Sequence, residues 1–317
     1  CAMGQALSEA LTTKESLFLY NDEVTVGSSC MQGWRTTMED SHTQILSLPD
    51  DEGTSYFAVF DGHGGSGTAD YAGKHLHKCV VNRPEYKNGD PETAIKKGFL
   101  DLDHDLLNDA VVKTEGSGST AVCLFIQGDQ LYCGNIGDSR CVASVSGVAA
   151  PLSDDHKPNN SEEMNRIINA GGTVEYNRVN GILALSRAFG DFVFKDNEKL
   201  GPEEQMVTAF PEVQTMTKTD DLEFVVLACD GIWDVFSSQK VVDFIRESLA
   251  SNTEPDKICE ELMDACLAPR WQISGLGCDN MTVVIVCFTN GRPFSTYCDK
   301  FRNVSLNSSV SNSDSSD

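Results

Sequence analysis

The chain has 317 residues and is strongly acidic, since 48 Asp and Glu stand against 24 Lys and Arg for a formal net charge of −24. A surface of this sign repels phosphate backbones, so nucleic acid is excluded as an expected partner. The hydrophobic content of 40% suffices for a substantial core, and the sequence has no apolar run of 18 residues that would predict a transmembrane helix.

The first 25 residues are interpreted as a lead-in to the folded body. Residues 3–8 match the N-myristoylation pattern with Gly4 as the acceptor, if Met3 is the native start. One acyl chain without a polybasic patch supports only reversible membrane association. The 12 cysteines form no CxxC pair and several lie in apolar runs, which indicates a reducing compartment. We therefore expect a cytoplasmic protein, with a nuclear or acyl-anchored location as alternatives.

Apolar stretches rich in β-branched and aromatic residues recur through the body, which we place at residues 26–290. They predict strands at residues 56–60, 120–126, 130–135, 140–145, 223–229 and 281–288. Short turns such as Gly128-Asp129 separate several of these strands, which favours antiparallel pairing of neighbours. The pattern therefore predicts antiparallel sheets.

Stretches with helical periodicity lie between the strands, at residues 66–80, 91–111, 161–170, 238–249 and 255–267. Strands far outnumber βαβ units, so the predicted fold class is α+β with helices packed outside the sheets. Asp101, Asp103 and Asp105 in the second helix are interpreted as a solvated face. Residues 291–317 are interpreted as a polar tail, because Ser, Asn and Asp dominate 303–317 and predict disorder.

Acidic residues stand at the ends of three predicted strands. Asp61 and Asp230 directly follow one strand each, and Asp279 lies just before a third. In antiparallel sheets the exit of one strand lies beside the entry of its neighbour, so these acids can converge at one edge. Each alone would be an ordinary turn residue. Together, with Glu39-Asp40 before another strand, they predict a site for a hard divalent cation, because clustered carboxylates repel unless a cation neutralises them.

Groups suited to phosphoryl chemistry stand next to these acids. Arg35 lies four residues before Glu39, and its planar guanidinium can bind two phosphate oxygens. His63 lies two residues after Asp61, where an imidazolium can protonate a leaving alkoxide. The combination predicts a metal-assisted reaction on a phosphate ester.

Eight short motifs follow one another along the chain, at residues 33–40, 60–65, 118–121, 137–140, 155–158, 185–191, 228–233 and 279–280. In this order they resemble the type 2C family of metal-dependent protein phosphatases. The resemblance implies a four-layer αββα sandwich, in which two antiparallel sheets pack face to face between layers of helices. It also implies hydrolysis of phosphoserine and phosphothreonine in proteins by a metal-activated water, without a covalent phosphoenzyme.

The resemblance also implies the roles of individual residues around Mg²⁺ or Mn²⁺. The ligands of two core ions would be Glu39, Asp61, the Gly62 carbonyl, Asp230 and Asp279, with Asp61 bridging. A weaker third ion would be held by Asp138 and Asp234. The catalytic residues would be Asp40, which orients a water, Arg35, which binds the phosphate, and His63, which acts as general acid. Asp191 and Asn280 would support them.

The resemblance leaves the surroundings of the site less defined. Residues 155–184 resemble a flap that borders the active site, and residues 267–278 are longer than the usual approach to the last ligand in this family. The expected partners are phosphoprotein substrates, and a monomer is expected. Two alternatives remain open at this point: a pseudophosphatase that serves as a binding module, and a phosphohydrolase of small molecules on the same fold.

Overall fold

A computed structural model of the protein describes residues 6–49 and 51–311, with side chains described up to residue 302. The strands are β1 (Ala6–Tyr20), β2 (Val24–Arg35), β3 (Ser41–Ile45), β4 (Thr54–Phe60), β5 (Gly62–His63), β6 (Gly118–Ser119), β7 (Ala121–Gln127), β8 (Gln130–Ile136), β9 (Arg140–Val145), β10 (Val148–Pro151), β11 (Val174–Glu175), β12 (Arg178–Val179), β13 (Phe189–Gly190), β14 (Glu212–Thr217), β15 (Leu222–Ala228) and β16 (Met281–Phe288).

The helices lie between and after these strands. They are α1 (Gly67–Val81), α2 (Pro84–Lys87), α3 (Pro91–Leu106), α4 (Ala110–Glu115), α5 (Ser161–Asn169), α6 (Asp230–Trp233), α7 (Ser238–Ala250), α8 (Pro255–Cys266) and α9 (Phe294–Ser311), with short 3₁₀ turns at Phe192–Phe194 and Pro202–Glu204. In the described part of the chain, no helix combines the length and the apolar character needed to cross a bilayer.

Two large antiparallel sheets face each other across a shared core. One has the strand order β1-β2-β16-β15-β9-β10, and the other has the order β14-β8-β7-β4-β3. Their inner faces enclose one apolar cluster, α7 and α8 cover the outer face of the first sheet, and α1 and α3 cover the second. The central strands β4, β15 and β16 are buried on both faces, which explains why they read as continuous apolar runs.

The second predicted helix, residues 91–111, is wrong as one element. Helix α3 ends at Leu106, and α4 begins after Asp109, whose carboxylate accepts hydrogen bonds from the backbone N–H groups of Val111 and Val112 at 2.9 and 3.0 Å. An aspartate that caps a helix N-terminus in this way competes with continuation of the preceding helix. Val111, the last apolar residue of the predicted helix, is 54% exposed, whereas its neighbour Val112 joins the same apolar cluster as α3.

The predicted lead-in also differs from the structure. Strand β1 is the edge strand of the larger sheet and pairs antiparallel with β2 along most of its length. Most of its residues are exposed, and only Leu7, Ala10, Lys14, Phe18 and Leu19 are partly buried. Residues 6–20 are therefore part of the fold. Gly4 lies outside the described residues, so N-myristoylation stays a prediction.

The predicted polar tail is corrected over Phe294–Ser311, which form α9. Phe294, Tyr297 and Phe301 recur at helical spacing and pack onto the cluster beneath α7. The buried Tyr297 hydroxyl donates to the Glu223 carbonyl oxygen at 2.6 Å. The Ser and Asn content that follows Arg302 hid this short apolar face. Residues 312–317 lie outside the described part of the chain.

Candidate active site

A cavity of about 420 Å³ opens at the edge where strand ends of both sheets meet. Its walls include the end of β2, the residue that directly follows β4, the β8–β9 turn, the start of α6 and the approach to β16. The lining residues are Arg35, Thr36, Thr37, Glu39, Asp61, Gly62, His63, Gly64, Thr120, Asp138, Arg178, Ile182, Leu183, Ala184, Leu185, Asp230, Asp279 and Asn280. Nine of the twelve residues singled out in the sequence therefore line one cavity, namely Arg35, Glu39, Asp61, Gly62, His63, Asp138, Asp230, Asp279 and Asn280.

Asp61 is fixed by its own backbone. Its N–H donates to the Thr120 hydroxyl at 3.1 Å, and its carbonyl accepts from the Thr120 N–H at 2.9 Å. The next residue is Gly62, where an added Cβ would collide with the carbonyl oxygen of Glu39. Glycine at this position therefore lets the segment carrying Glu39 approach the end of β4 closely.

Asp279 and Glu39 are positioned through polar contacts across the sheet edge. Arg35 forms an ion pair with Asp279 at 2.5 Å. Asn280 accepts from the backbone N–H of Glu39 at 3.0 Å, and its amide donates to the carbonyls of Gln32 and Thr37 at 2.8 and 3.0 Å. Asn280 thus ties the Glu39 segment to the start of β16.

Several of these acids are held where ionisation is costly. Burial, followed by the charges of neighbouring acids, raises the pKa of the Asp61 and Asp230 carboxyl groups well above their usual range. Burial also raises the pKa of Asp40 to about 7, although its hydrogen bond from Thr282 acts in the opposite direction. Positive charge among these carboxyls would reverse this penalty. The electrostatics are those of a cation site.

Asp40 lies behind the cavity wall and next to a cysteine. Its carboxylate accepts from the Thr282 hydroxyl at 2.7 Å. Ligand atoms of Asp40, Asp61 and Cys229 all lie within 4.8 Å of one another, so this group could hold a metal ion. Cys229 is not among the site residues predicted from the sequence. Its place directly before Asp230, at the end of a strand that delivers an acid, was the available signal.

His63 is paired with Asp191, which the sequence predicted as a supporting residue. The ring Nε2 of His63 lies 2.7 Å from Asp191 Oδ2. Burial alone would lower the pKa of His63, but the adjacent Asp191 carboxylate outweighs it and the pKa is raised. The three-stranded sheet β13-β6-β5 brings the two residues together, since β5 ends in His63 and Asp191 follows β13. The Asp191 carboxylate thereby favours the protonated form of the imidazole.

Asp138 and Asp234 lie on the side of the cavity near α6. Asp234 follows Asp230 by one helical turn, and its N–H donates to the Asp230 carbonyl at 2.9 Å. Asp138 forms an ion pair with Lys157. Burial lowers the pKa of Lys157, but Asp138 outweighs it and the pKa is raised. The two residues lie 19 positions apart in the chain, and nothing in the sequence near Lys157 indicated this partner.

The flap, residues 155–184, forms the opposite wall of the cavity. Arg178 and residues 182–184 contribute to the lining, and Leu185 follows them directly. The flap packs on a small apolar cluster that it shares with residues 185–207. This cluster includes Ile167 and Val179 and is separate from the core between the sheets. The side chain of Ile182 stays 67% exposed at the rim. This wall is mostly apolar, in contrast to the acidic floor.

The long segment that precedes Asp279, residues 267–278, is joined near its two ends by a hydrogen bond. The Ala268 N–H donates to the Gly277 carbonyl at 2.8 Å, and the Trp34 indole N–H donates to the Ala268 carbonyl at 3.0 Å. The added residues therefore project outward from Trp34, which directly precedes Arg35 in the chain. Trp271 and Ile273 in this loop are exposed.

One interpretation of an acid outside the site is wrong. Asp103 is not solvated: it is 8% exposed, its two oxygens accept from the Lys195 ammonium at 2.8 Å, and one also accepts from the Gly190 N–H at 2.9 Å. It anchors the chain next to β13, on the His63 side of the fold. The distant Lys195 gave no local signal for this pairing.

Comparison with known proteins identifies the family. The model described as Protein phosphatase 2C matches residues 24–272. A probable protein phosphatase 2C of Caenorhabditis elegans is 55% identical over 312 residues, covering 98% of this chain and 88% of that protein. Protein phosphatase 2C homolog 2 of Hypocrea jecorina is 48% identical over 306 residues, covering 94% and 70% of the two chains.

The fold agrees with this relationship. The crystal structure of a phosphatase from a pathogenic strain of Toxoplasma gondii matches with a TM-score of 0.74 at 29% identity, covering 88% of this chain and 96% of that one. The predicted α+β sandwich of two antiparallel sheets is thereby confirmed. The chain belongs to the protein phosphatase 2C family, and its enzyme class is that of the protein serine/threonine phosphatases.

Proposed function

We propose that this chain hydrolyses phosphoserine and phosphothreonine in proteins by direct attack of water on phosphorus, with divalent cations bound in the acidic cavity. The observation that carries the proposal is the convergence of Asp61, Asp230 and Asp279 in one cavity with Arg35 and the His63–Asp191 pair. This combination supplies cation ligands, a phosphate-binding group and a proton donor within one site.

The donor set fits Mg²⁺ or Mn²⁺. These ions prefer carboxylate and carbonyl oxygens, which Glu39, Asp61, Gly62, Asp230 and Asp279 offer. Two core ions and a weaker third one, near Asp138 and Asp234, are part of the proposal. The raised pKa values of Asp61 and Asp230 support it, because neighbouring cations would offset both causes, burial and then the charges of neighbouring acids. Bound cations would supply an activated water and positive charge for the phosphate oxygens.

The protein's own residues divide the remaining work. Arg35 binds the substrate phosphate with its guanidinium fork, while its ion pair with Asp279 orients it toward the cavity. Asp40, oriented by Thr282, accepts a hydrogen bond from the attacking water. His63 gives its proton to the leaving serine or threonine oxygen, and Asp191 stabilises the protonated imidazole beforehand. A covalent phosphoenzyme is not needed.

The proposal covers the rest of the molecule as well. Residues 26–290 form the catalytic domain, with β1 completing one sheet and α9 completing one helix layer. The flap, residues 155–184, contacts the phosphoprotein substrate beside the phosphate. We propose a monomer that acts in the cytoplasm, and a nuclear or acyl-anchored location would follow if Gly4 carries an acyl chain.

The test is hydrolysis of a phosphothreonine peptide by dialysed protein, with and without added Mn²⁺ or Mg²⁺. We expect turnover that requires the metal and that exceeds turnover of sugar phosphates and nucleotides at the same concentration. Preference for the small phosphates would replace the proposal with a small-molecule phosphohydrolase. Binding of the phosphopeptide without turnover under any metal would replace it with a pseudophosphatase.

A further inference from the structure

Lys157 lies where the structure concentrates negative charge. Its ammonium group bonds to Asp138 Oδ2, and the charges of Asp230 and Asp234 act on it as well. The Asp138 side chain is 6% exposed and that of Lys157 is 31% exposed, so water has little access to the carboxylate of this pair. A protein cation thus already lies beside acids that we assign to cations from solution.

The backbone that carries Lys157 is held firmly on the side of the site. Arg140 binds both oxygens of Asp155 at 2.9 Å, and the N–H of His156 donates to the Gly137 carbonyl at 2.9 Å. On the other side, the Asn160 amide donates to the Asp155 carbonyl at 2.8 Å. These contacts direct the lysine at Asp138, unlike a surface lysine that samples many rotamers.

We propose that Lys157 is an internal counter-ion that competes with the third divalent cation for Asp138. The inference rests on the proposed function, since it concerns the weaker cation site assigned there. While the third cation is absent, Lys157 neutralises Asp138. For the cation to bind, the ammonium must leave the carboxylate oxygen, and this cost keeps the site weak. Lys157 is therefore a positioning residue that sets the affinity of this site.

The competition also links the cation to the flap. Lys157 is the third residue of the flap segment, and its release from Asp138 removes a direct tie between that segment and the acids of the cavity floor. Binding of the third cation and loss of the Lys157–Asp138 ion pair then occur together.

The test is a titration of the dialysed full chain with Mn²⁺, in which free Mn²⁺ is followed by its electron paramagnetic resonance signal. The variants are Lys157→Met, which removes the charge at similar length, and Lys157→Arg, which keeps it. Lys199→Met controls for net charge, because Lys199 is an exposed lysine remote from the lining. We expect the weak class of sites to tighten about ten- to a hundredfold in Lys157→Met, as loss of a nearby unit charge predicts.

The other variants decide the interpretation. The weak class should stay within about threefold of the wild type in Lys157→Arg and Lys199→Met, and Asp138→Asn added to Lys157→Met should abolish the tightening. Unchanged tight sites in Lys157→Met would show that this variant is folded. If the tight classes are present and Lys157→Met leaves the weak class unchanged or weaker, the competition is refuted while the proposed function stands. If the wild type binds no Mn²⁺, both are refuted.

Discussion

Two regions border the same cavity and are anchored in different ways. The acids of the floor lie at strand ends of the two large sheets, and Asp61 and Asn280 are fixed by hydrogen bonds that involve backbone groups. The flap packs on a small apolar cluster that it shares with residues 185–207, and its Glu163 forms ion pairs with Arg166 and Arg187. The floor is therefore as rigid as the sheets, whereas the flap depends on a few charges. Chemistry and substrate contact are thus separable by mutation.

The largest effect is expected on the floor, from Asp61→Asn. The variant should lose activity on a phosphothreonine peptide by on the order of 10⁴-fold, the equivalent of several kcal/mol of charge stabilisation. In metal-free buffer the same variant should melt at a higher temperature than the wild type. The reason is that burial and neighbouring acids raise the pKa of Asp61, so its ionised form opposes folding at neutral pH.

Kinetics and thermal melting in the presence of a chelator check both halves of this prediction. Asp129→Asn serves as the control, because Asp129 is an exposed acid in the β7–β8 turn with a side chain 75% exposed. It should change neither activity nor melting temperature. A metal-free Asp61→Asn protein that melts below the wild type would mean that Asp61 stabilises the fold instead of being strained by it.

His63→Gln should have the next largest effect, and the effect should depend on the leaving group. Loss of the proton donor should slow hydrolysis of a phosphothreonine peptide about 10²-fold. An aryl phosphate should be affected far less, because an aryl oxide leaves without a proton. Comparing kcat for the two substrates gives the result. Equal losses on both would assign His63 to structure or phosphate binding and remove it as general acid.

The strand-end acids could be predicted from sequence, whereas the ion pairs of Lys157 and Lys195 could not, for a physical reason. Asp61 and Asp230 directly follow apolar strands, so local patterning gives their place in the fold. Lys157 bonds to Asp138, and Lys195 bonds to Asp103, across 19 and 92 residues of chain. Nothing near either lysine in the sequence marks such partners. The same limit explains why β1 and α9 were not predicted. The face that each buries is only weakly apolar, so its place in the fold depends on distant parts of the chain.

Glu163→Gln should destabilise the flap and leave the floor intact. Glu163 accepts from Arg166, Ser186 and Arg187 at 2.9, 2.6 and 2.7 Å, and it is 3% exposed. Burial raises its pKa, but the two arginines outweigh burial and lower the pKa from 4.5 to about 2. Removing the Glu163 charge leaves the half-buried guanidinium groups of Arg166 and Arg187 without an anionic partner. The free energy of unfolding should fall by about 3 kcal/mol as a result.

The pH dependence of this loss follows from the sign of the shift. A carboxyl group with a lowered pKa in the folded state stabilises above its ordinary pKa of 4.5 and loses that contribution as the pH falls toward about 2. The gap in unfolding free energy between wild type and variant should be full at about pH 7 and narrower at about pH 3. Denaturant titrations at both pH values measure it, and a gap that widens in acid would contradict the assignment.

The smallest effect is expected at the tip of the flap, from Ile182→Ala. This side chain is 67% exposed and lines the cavity, so a bound peptide would cover apolar surface that the free protein leaves in water. Its loss should raise KM for a phosphothreonine peptide about threefold, the equivalent of burying a small apolar area, while kcat stays unchanged. An aryl phosphate, which ends near the phosphate site, should show no change. Ile168→Ala is the matched control, since Ile168 is 53% exposed on α5 and lies outside the lining. If both variants raise KM equally, the effect comes from flap stability and the tip does not contact substrate.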